Sequence, residues 1–263
     1  ALFLGILLSA ALLTGVGSLF ASGKNAALEN ARTEYGDWHY ELRCDAPWFE
    51  AFIENPKGEG FQVESWGVET IKKAVPQPFE IRFVWGDETY LKMMGRTLIQ
   101  GHYPEEENEI AMDSHTLLNL GIEGTLGSRV ELDGETFILC GILSEMPERL
   151  GELMGDAMQV FVSSRLDYGT DESFLYLKFK ESRPIYRQLK AFISQYEIQE
   201  SVDQNSGLSG YVGGDTGSLT PAEIWNALSE PEYGLPYVWG MLNENEAMTE
   251  GAVLAVLGIF SMF

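Results

Sequence analysis

The two ends of the chain are apolar and uncharged, whereas charged residues are dense everywhere between them. Residues 1–23 and residues 251–263 contain no Asp, Glu, Lys or Arg. Since about 20 apolar helical residues cross a bilayer, residues 1–20 predict one membrane-spanning helix and residues 251–263 predict the start of a second. A cleaved signal peptide is the alternative, because small residues follow Phe20, but the chain has no basic start of the kind that signal peptides carry.

The region between the ends is strongly acidic. All 17 Lys and Arg and all 40 Asp and Glu lie within residues 24–250, which therefore hold the whole formal net charge of −23. Nucleic-acid binding needs a clustered basic surface, so this balance argues against that class of partner. The length is enough for one large domain or two small ones, and the charge keeps such a domain soluble.

Patterns in the first part of this region predict a stalk followed by strands and a helix. Residues 1–34 are expected to form one continuous helix, half in lipid and half stalk, because no Pro interrupts them. Alternation and apolar spacing then predict a β-α-β-β order. The expected elements are strands at 37–43, 61–70 and 79–85 and a helix at 46–54.

The middle of the chain predicts a small, mostly β unit. A loop at 101–109 leads into a short strand, and Asp113 is placed to cap a helix at 114–120. Asp133-Gly134 between two apolar runs is the strongest short hairpin signal in the chain.

The later part predicts another strand pair, at 158–163 and 173–180, and a helix at 184–196. The apolar stripe of this helix needs a cover, and we expect the strands of 37–85 to supply it rather than residues 101–142. Residues 205–218 are rich in Gly and Ser and predict a loop.

Recognisable catalytic and metal-binding motifs are missing from the sequence. The histidines His39, His102 and His115 have no further His or Cys at zinc-ligand spacing,. Cys44 and Cys140 permit a disulfide outside the cytoplasm, although buried free thiols are the ordinary interpretation of cysteines in apolar strands. We therefore predict no cofactor, no metal site and no enzymatic activity in this chain.

Three further segments contain residue types found in catalytic, phosphate-binding or calcium-binding sites, but ordinary helix, linker or turn structure accounts for them better. Asp113-Ser114-His115 has the residue types of a triad, but neighbours on a helix point in different directions. Gly213-Gly214 lacks the Lys and Ser or Thr of a phosphate-binding loop. The acidic residues 105–109 lack the spacing of a calcium loop, and a solvated turn accounts for them.

Residues 101–112, GHYPEEENEIAM, resemble the Gly-x-Tyr-Pro loop and Asn-Glu-Ile strand of the MacB-like core domain in FtsX-like ABC-transporter permeases. The likeness continues through LLNLGIEGTLGSRVEL and FILCGIL, within residues 117–143. Ala111-Met112 depart from the usual Val or Leu, and residues 200–245 do not align. The matched structural positions are Gly101, Tyr103, Pro104, Glu109, Ile110, Gly121, Gly127 and Gly141.

The resemblance implies an α+β, two-lobed extracytoplasmic domain between two transmembrane helices. The expected parts are a membrane helix and stalk at 1–34, an α/β lobe at 35–100 and 166–245, an inserted mainly β lobe at 101–165, and a second membrane helix from 246 to 263. The 166–245 part ends in a Gly-rich connector.

The function that the resemblance implies is mechanical. A multi-pass permease in the cell membrane would pair with a second permease copy or half and with a cytoplasmic ATP-binding subunit, which alone would bind ATP. The domain would transmit ATP-driven motion to an extracellular or membrane-embedded substrate. The alternative is the ligand-sensing domain of a two-span receptor, and a surface-anchored hydrolase is a third possibility. Sequence beyond Phe263 would separate the permease from the receptor.

Overall fold

The computed structural model describes residues 26–44, 47–76, 80–155 and 157–212, with side chains up to residue 209. The chain divides into two compact units, one of residues 1–30 and 210–263 and one of residues 31–209. Both expected membrane spans lie outside the described residues. Within the described part, no helix is both long and apolar enough to cross a bilayer.

Seven helices and ten strands make up the described residues. The helices are α1 (residues 26–35), α2 (Pro47–Glu54), α3 (Glu88–Met93), α4 (Ser114–Asn119), α5 (Glu148–Leu153), α6 (Ile185–Tyr196) and α7 (Ser206–Val212). The strands are β1 (Tyr40–Arg43), β2 (Val63–Val75), β3 (Ile81–Gly86), β4 (Leu98–Gly101), β5 (Glu109–Asp113), β6 (Arg129–Leu132), β7 (Glu135–Leu143), β8 (Met158–Val162), β9 (Glu172–Phe179) and β10 (Val202–Gln204).

All ten strands belong to one mixed sheet. Its order is β10-β1-β9-β2-β3-β8-β5-β7-β4, and β6 pairs with β7. Strands from both ends of the sequence form one half, and β4 to β8 form the other. The parallel pairing of β3 with β8 joins the halves. The α+β class is therefore confirmed, whereas the domain boundaries stay predictions because the sheet runs without a break from one half to the other.

Helix α6 covers the first half of the sheet, as its apolar stripe predicts. The ring of Phe192 lies 5.4 Å from that of Phe52, 5.3 Å from that of Phe61 and 5.8 Å from that of Phe179, centroid to centroid. Aromatic rings at these separations and steep angles attract one another beyond the area they bury. This half of the fold therefore has an aromatic core of its own.

One strand within the region 37–85 that was expected to cover α6 packs elsewhere. Phe83 of β3 packs against Phe137 and Tyr168 in the core of the other half. The reason is that β3 pairs with β8, so this face of β3 is shared with the inserted strands.

Two local predictions are confirmed by the backbone. Asp133 and Gly134 both have positive φ, 50° and 82°, and connect the antiparallel strands β6 and β7. Such a turn matches the natural twist of a hairpin. Asp113 caps α4, and its Oδ1 accepts a hydrogen bond from the Thr116 N–H at 2.7 Å.

Other expectations are corrected. Strands β8 and β9 are not a pair, because β2 and β3 lie between them. Part of the predicted loop at 205–218 is helix α7, which Asn205 caps by accepting from the Leu208 N–H at 3.3 Å. The short elements β4, α5 and β10 carried no signal strong enough to be predicted. Of the helix expected at 1–34, residues 26–34 are helical, and the remainder lies outside the described residues.

Candidate functional site

Asn205 binds the end of α1 and the segment that follows it. Its side-chain amide donates to the carbonyl oxygens of Tyr35 at 2.9 Å and Trp38 at 3.0 Å. Its backbone N–H donates to the carbonyl oxygen of His39 at 3.0 Å. Asn205 is 1% exposed, so these bonds are shielded from water. One side chain thus fixes the start of β1 to the start of α7.

Close contacts between backbone and ring support this junction, which we define as residues 32–39, 178–181 and 205–207. A Cβ on Gly207 would lie 2.1 Å from the Tyr35 ring, so the ring rests directly on the glycine. Gly36 has a φ of +81°, a backbone conformation that glycine adopts without strain,. The turn from α1 into β1 therefore depends on two glycines: Gly36, which follows Tyr35 in the sequence, and Gly207, on which the Tyr35 ring packs.

Ion pairs surround the same junction. Arg32, in the last turns of α1, pairs with Glu181 and, at 3.2 Å, with Asp37. Lys178 at the end of β9 pairs with Asp37 at 2.7 Å. The Asp37 N–H also donates to the Met93 carbonyl oxygen at 2.8 Å, which joins the junction to the end of α3.

His39 lies beneath these ion pairs and is 2% exposed. Its Nδ1 accepts from the Phe179 N–H at 3.0 Å, so the neutral ring carries its proton on Nε2,. Nε2 faces Glu181 at 3.5 Å. Interaction with His39, and then with Arg32, lowers the pKa of Glu181 to about 2. Glu181 is thereby held ionised at every physiological pH.

A second buried polar group joins the two halves of the sheet. Glu69 of β2 accepts from the Tyr90 hydroxyl at 2.6 Å, the Tyr176 hydroxyl at 3.1 Å and the Gln159 side-chain amide at 3.1 Å. Burial raises the pKa of Glu69, and the two tyrosine hydroxyls act against that rise. Burial also raises the pKa of the nearby Glu41 to about 7. Because β2, β8, β9 and α3 each supply a member, the network connects elements that are distant in sequence.

The loop at 101–109 begins where β4 and β7 pair at very short backbone separation. Gly101 has a φ of +77°, and a Cβ there would lie 1.9 Å from the Cys140 carbonyl oxygen. A Cβ on Gly141 would lie 2.3 Å from the His102 carbonyl oxygen. Substitution at either glycine would push the two backbones apart.

The remaining motif residues shape the same region or its surroundings. Tyr103 packs on the core beside α3 and α5, Pro104 is half-buried, and Ile110 is fully buried. Gly121 and Gly127, with φ of +67° and +82°, end α4 and begin the turn to β6. Their roles as a family motif stay predictions.

Three side chains that the sequence analysis treated separately come together beside this loop. Ligand atoms of His102, Glu109 and Cys140 all lie within 4.8 Å of one another. Cys44 and Cys140 are not joined by a disulfide.

A groove of about 520 Å³ lies between α4 and α5 and is lined in part by Arg96, Asp113, His115 and Asn119. Asp113 is already bound to the Thr116 N–H and, at 2.8 Å, to Arg96. A ring nitrogen of His115 lies 3.2 Å from the Asn119 amide. Asp113-Ser114-His115 is therefore not assembled as a triad.

No family model matches the chain, and no curated protein matches it. The solved structures that are similar to this chain at low identity include the following three. The periplasmic region of MacB from Actinobacillus actinomycetemcomitans is 11% identical, with a TM-score of 0.43 over 73% of this chain and 100% of that one. A domain of a putative permease from Porphyromonas gingivalis is 13% identical, with a TM-score of 0.38 over 73% and 90%.

The third is the extracellular domain of the noncanonic ABC-type transporter YknZ from Gram-positive bacteria. It is 13% identical, with a TM-score of 0.41 over 64% of this chain and 98% of that one.

Proposed function

We propose that this chain is the extracytoplasmic domain of an FtsX-like, MacB-type ABC-transporter permease that transmits motion of its membrane helices to a substrate outside the cytoplasm. The family in this proposal comes from the resemblance of residues 101–112 and 117–143. The observation that carries its mechanical part is the junction at Asn205, where the end of α1 and the segment after it are bound to the start of α7. In this proposal, motion that reaches the junction from either end of the chain tilts the domain as a single body.

The stiffness of the domain supports this mechanical role. The sheet is continuous from β10 to β4, and the Glu69 network ties β2 and β9 to β8 through buried hydrogen bonds. Displacement of Arg32 or Tyr35 would reach the sheet through Glu181 and Asn205. Elements linked in this way move together because packed interiors do not deform continuously.

The partners follow from the same proposal. A cytoplasmic ATP-binding subunit would supply the energy, and a second permease copy or half would complete the transporter in the bilayer. The proposal assigns no catalytic residue to this chain. The side chains of Asp113 and His115, the strongest triad candidates, are each bound to other partners.

Location and partnership can be tested together in intact cells. Leu118 is 77% exposed, so L118C in a C44S/C140S background should react with a membrane-impermeant maleimide without lysis. Purification of the labelled protein should recover an ATP-binding subunit in a fixed ratio. Labelling only after lysis would contradict the location, and a kinase recovered in place of the ATP-binding subunit would favour the receptor.

A further inference from the structure

Three side chains of metal-binding type converge where the 102–109 loop meets β7. Atoms of His102, Glu109 and Cys140 that can ligate a metal all lie within 4.8 Å of one another. Sheet pairing fixes their positions, because Gly101 pairs with Gly141 and Glu109 pairs with Ile138. Glu109 and Cys140 therefore lie on paired strands, and His102, which directly follows β4, donates its backbone N–H to the Cys140 carbonyl oxygen at 3.0 Å.

A hydrogen bond fixes which ring nitrogen of His102 faces Glu109. His102 Nδ1 lies 2.9 Å from the Tyr103 carbonyl oxygen, an acceptor, so Nδ1 carries the proton,. In the neutral ring Nε2 then keeps its lone pair, and this atom lies 3.8 Å from Glu109 Oε1. Metal-bound histidines typically donate their other N–H to a carbonyl or carboxylate in this way.

The glutamate is oriented by its own backbone. Glu109 Oε2 accepts from the N–H groups of Glu105 at 2.9 Å and Glu106 at 3.1 Å. Oε1 is left to face His102. These backbone bonds, together with His102, lower the pKa of Glu109 even though its burial acts in the opposite direction.

The thiol of Cys140 is the third candidate ligand and the buried member of the cluster. Cys140 is 6% exposed, and its Sγ donates to the His102 carbonyl oxygen at 3.4 Å. Burial raises the pKa of the thiol to about 12. A bound cation would reverse this effect, because a coordinating thiol loses its proton to the metal.

We propose that His102 Nε2, Glu109 Oε1 and Cys140 Sγ bind a Zn²⁺ ion, with water in the fourth position. A nitrogen, an oxygen and a thiolate sulfur form a set typical of zinc, whereas calcium and magnesium take oxygen ligands. Tetrahedral zinc sets ligand atoms about 3.3–3.8 Å apart. The distance of 3.8 Å between His102 Nε2 and Glu109 Oε1 already lies at the upper end of this range. The ligand atoms, all within 4.8 Å of one another, would have to approach by up to about 1 Å on binding,.

Such an ion would fix the loop between β4 and β5 to β7. This proposal does not depend on the permease function, because it rests on three side chains that lie away from the Asn205 junction. Without a metal, the cluster is a surface His–Glu contact above a buried thiol.

Calorimetric titration of the intact chain with ZnCl₂ in mild detergent, after chelator treatment, tests the proposal. We expect one Zn²⁺ per chain at micromolar affinity or tighter. H102A should weaken binding at least about tenfold, and its fold should survive because the side chain is exposed. H115A, which removes another exposed histidine, should bind as the wild type does.

Cobalt supplies an independent readout of the ligands. The Co²⁺-loaded chain should show a thiolate-to-cobalt charge-transfer band that C44S keeps and C140S loses. Zinc affinity should also rise with pH, because binding displaces the thiol proton. Absence of zinc binding, equal affinity in H102A and H115A, or a cobalt spectrum without the thiolate band would each overturn the proposal.

Discussion

The side-chain amide of Asn205 and the carbonyl oxygen of Trp38 are joined at 3.0 Å in a position that water does not reach. Because the same amide also serves Tyr35, one side chain satisfies two carbonyls of the turn between α1 and β1. It also caps α7. This arrangement makes the stability of the junction depend on Asn205.

N205A should therefore destabilise the domain by about 2–4 kcal/mol, since it leaves buried carbonyls unpaired and removes a helix cap. Urea unfolding followed by tryptophan fluorescence measures the change in the free energy of unfolding. The matched control is N119A, at an exposed position of α4, which should cost less than about 0.5 kcal/mol. Equal costs for the two variants would show that the junction is not held by Asn205.

Glu181 predicts a specific acid sensitivity. Its pKa is lowered from 4.5 to about 2 by His39 and Arg32, so its contribution to stability is complete above about pH 5 and is lost as the pH falls toward 2. E181Q should be less stable than the wild type at pH 7, and the difference should shrink through this window. Thermal melts at a series of pH values test it, with E123Q, at an exposed glutamate, as control. Parallel stability curves for wild type and E181Q would contradict the assignment.

The close pairing of β4 and β7 predicts that alanine substitution destabilises the domain much more at Gly101 than at Gly155, although the two glycines have similar φ angles. G101A places a methyl group 1.9 Å from the Cys140 carbonyl oxygen at a φ of +77°, and should cost about 3 kcal/mol or more. G155A has a φ of +84° and open space, so only the conformational cost of about 1–2 kcal/mol should remain. Chemical denaturation compares the two, and similar losses would show that the backbones separate easily.

The Glu69 network predicts that removing the Tyr90 hydroxyl lowers the free energy of unfolding more than removing the hydroxyl of an exposed tyrosine. Y90F removes the 2.6 Å bond to a buried carboxylate and should cost about 1.5–3 kcal/mol. Y196F removes a bond to the exposed Asn55 carbonyl oxygen and should cost about 0.5–1 kcal/mol. Unfolding free energies of the two variants should differ in this order, and the reverse order would contradict the role of Glu69.

Local chemistry predicted much of the fold. Alternating apolar residues placed most strands, Asp113 marked the cap of α4, and Asp133-Gly134 marked the hairpin. The stripe on α6 also predicted which half of the sheet the helix covers. These features depend on residues close together in sequence, so periodicity and turn chemistry are sufficient to find them.

The sites could not be predicted because they depend on pairings across long stretches of chain. From its sequence context Asn205 is predicted to be part of a Gly- and Ser-rich loop. Its role depends on the carbonyls of Tyr35 and Trp38, which are about 170 residues away in the sequence. His102 and Cys140 are brought together by β4, a strand of four residues with a weak pattern. Zinc-binding sequence motifs consist of ligands a few residues apart, so they do not include His102 and Cys140, which are 38 residues apart,.

We propose that ATP-driven motion moves this domain as one body. Spin labels on L118C in a C44S/C140S background, within the permease assembled with its ATP-binding subunit, report the distance between two copies by pulsed electron resonance. We expect this distance distribution to shift between the nucleotide-free and ATP-bound states in lipid. Superimposable distributions in the two states, from a complex shown to bind and hydrolyse ATP, would contradict it.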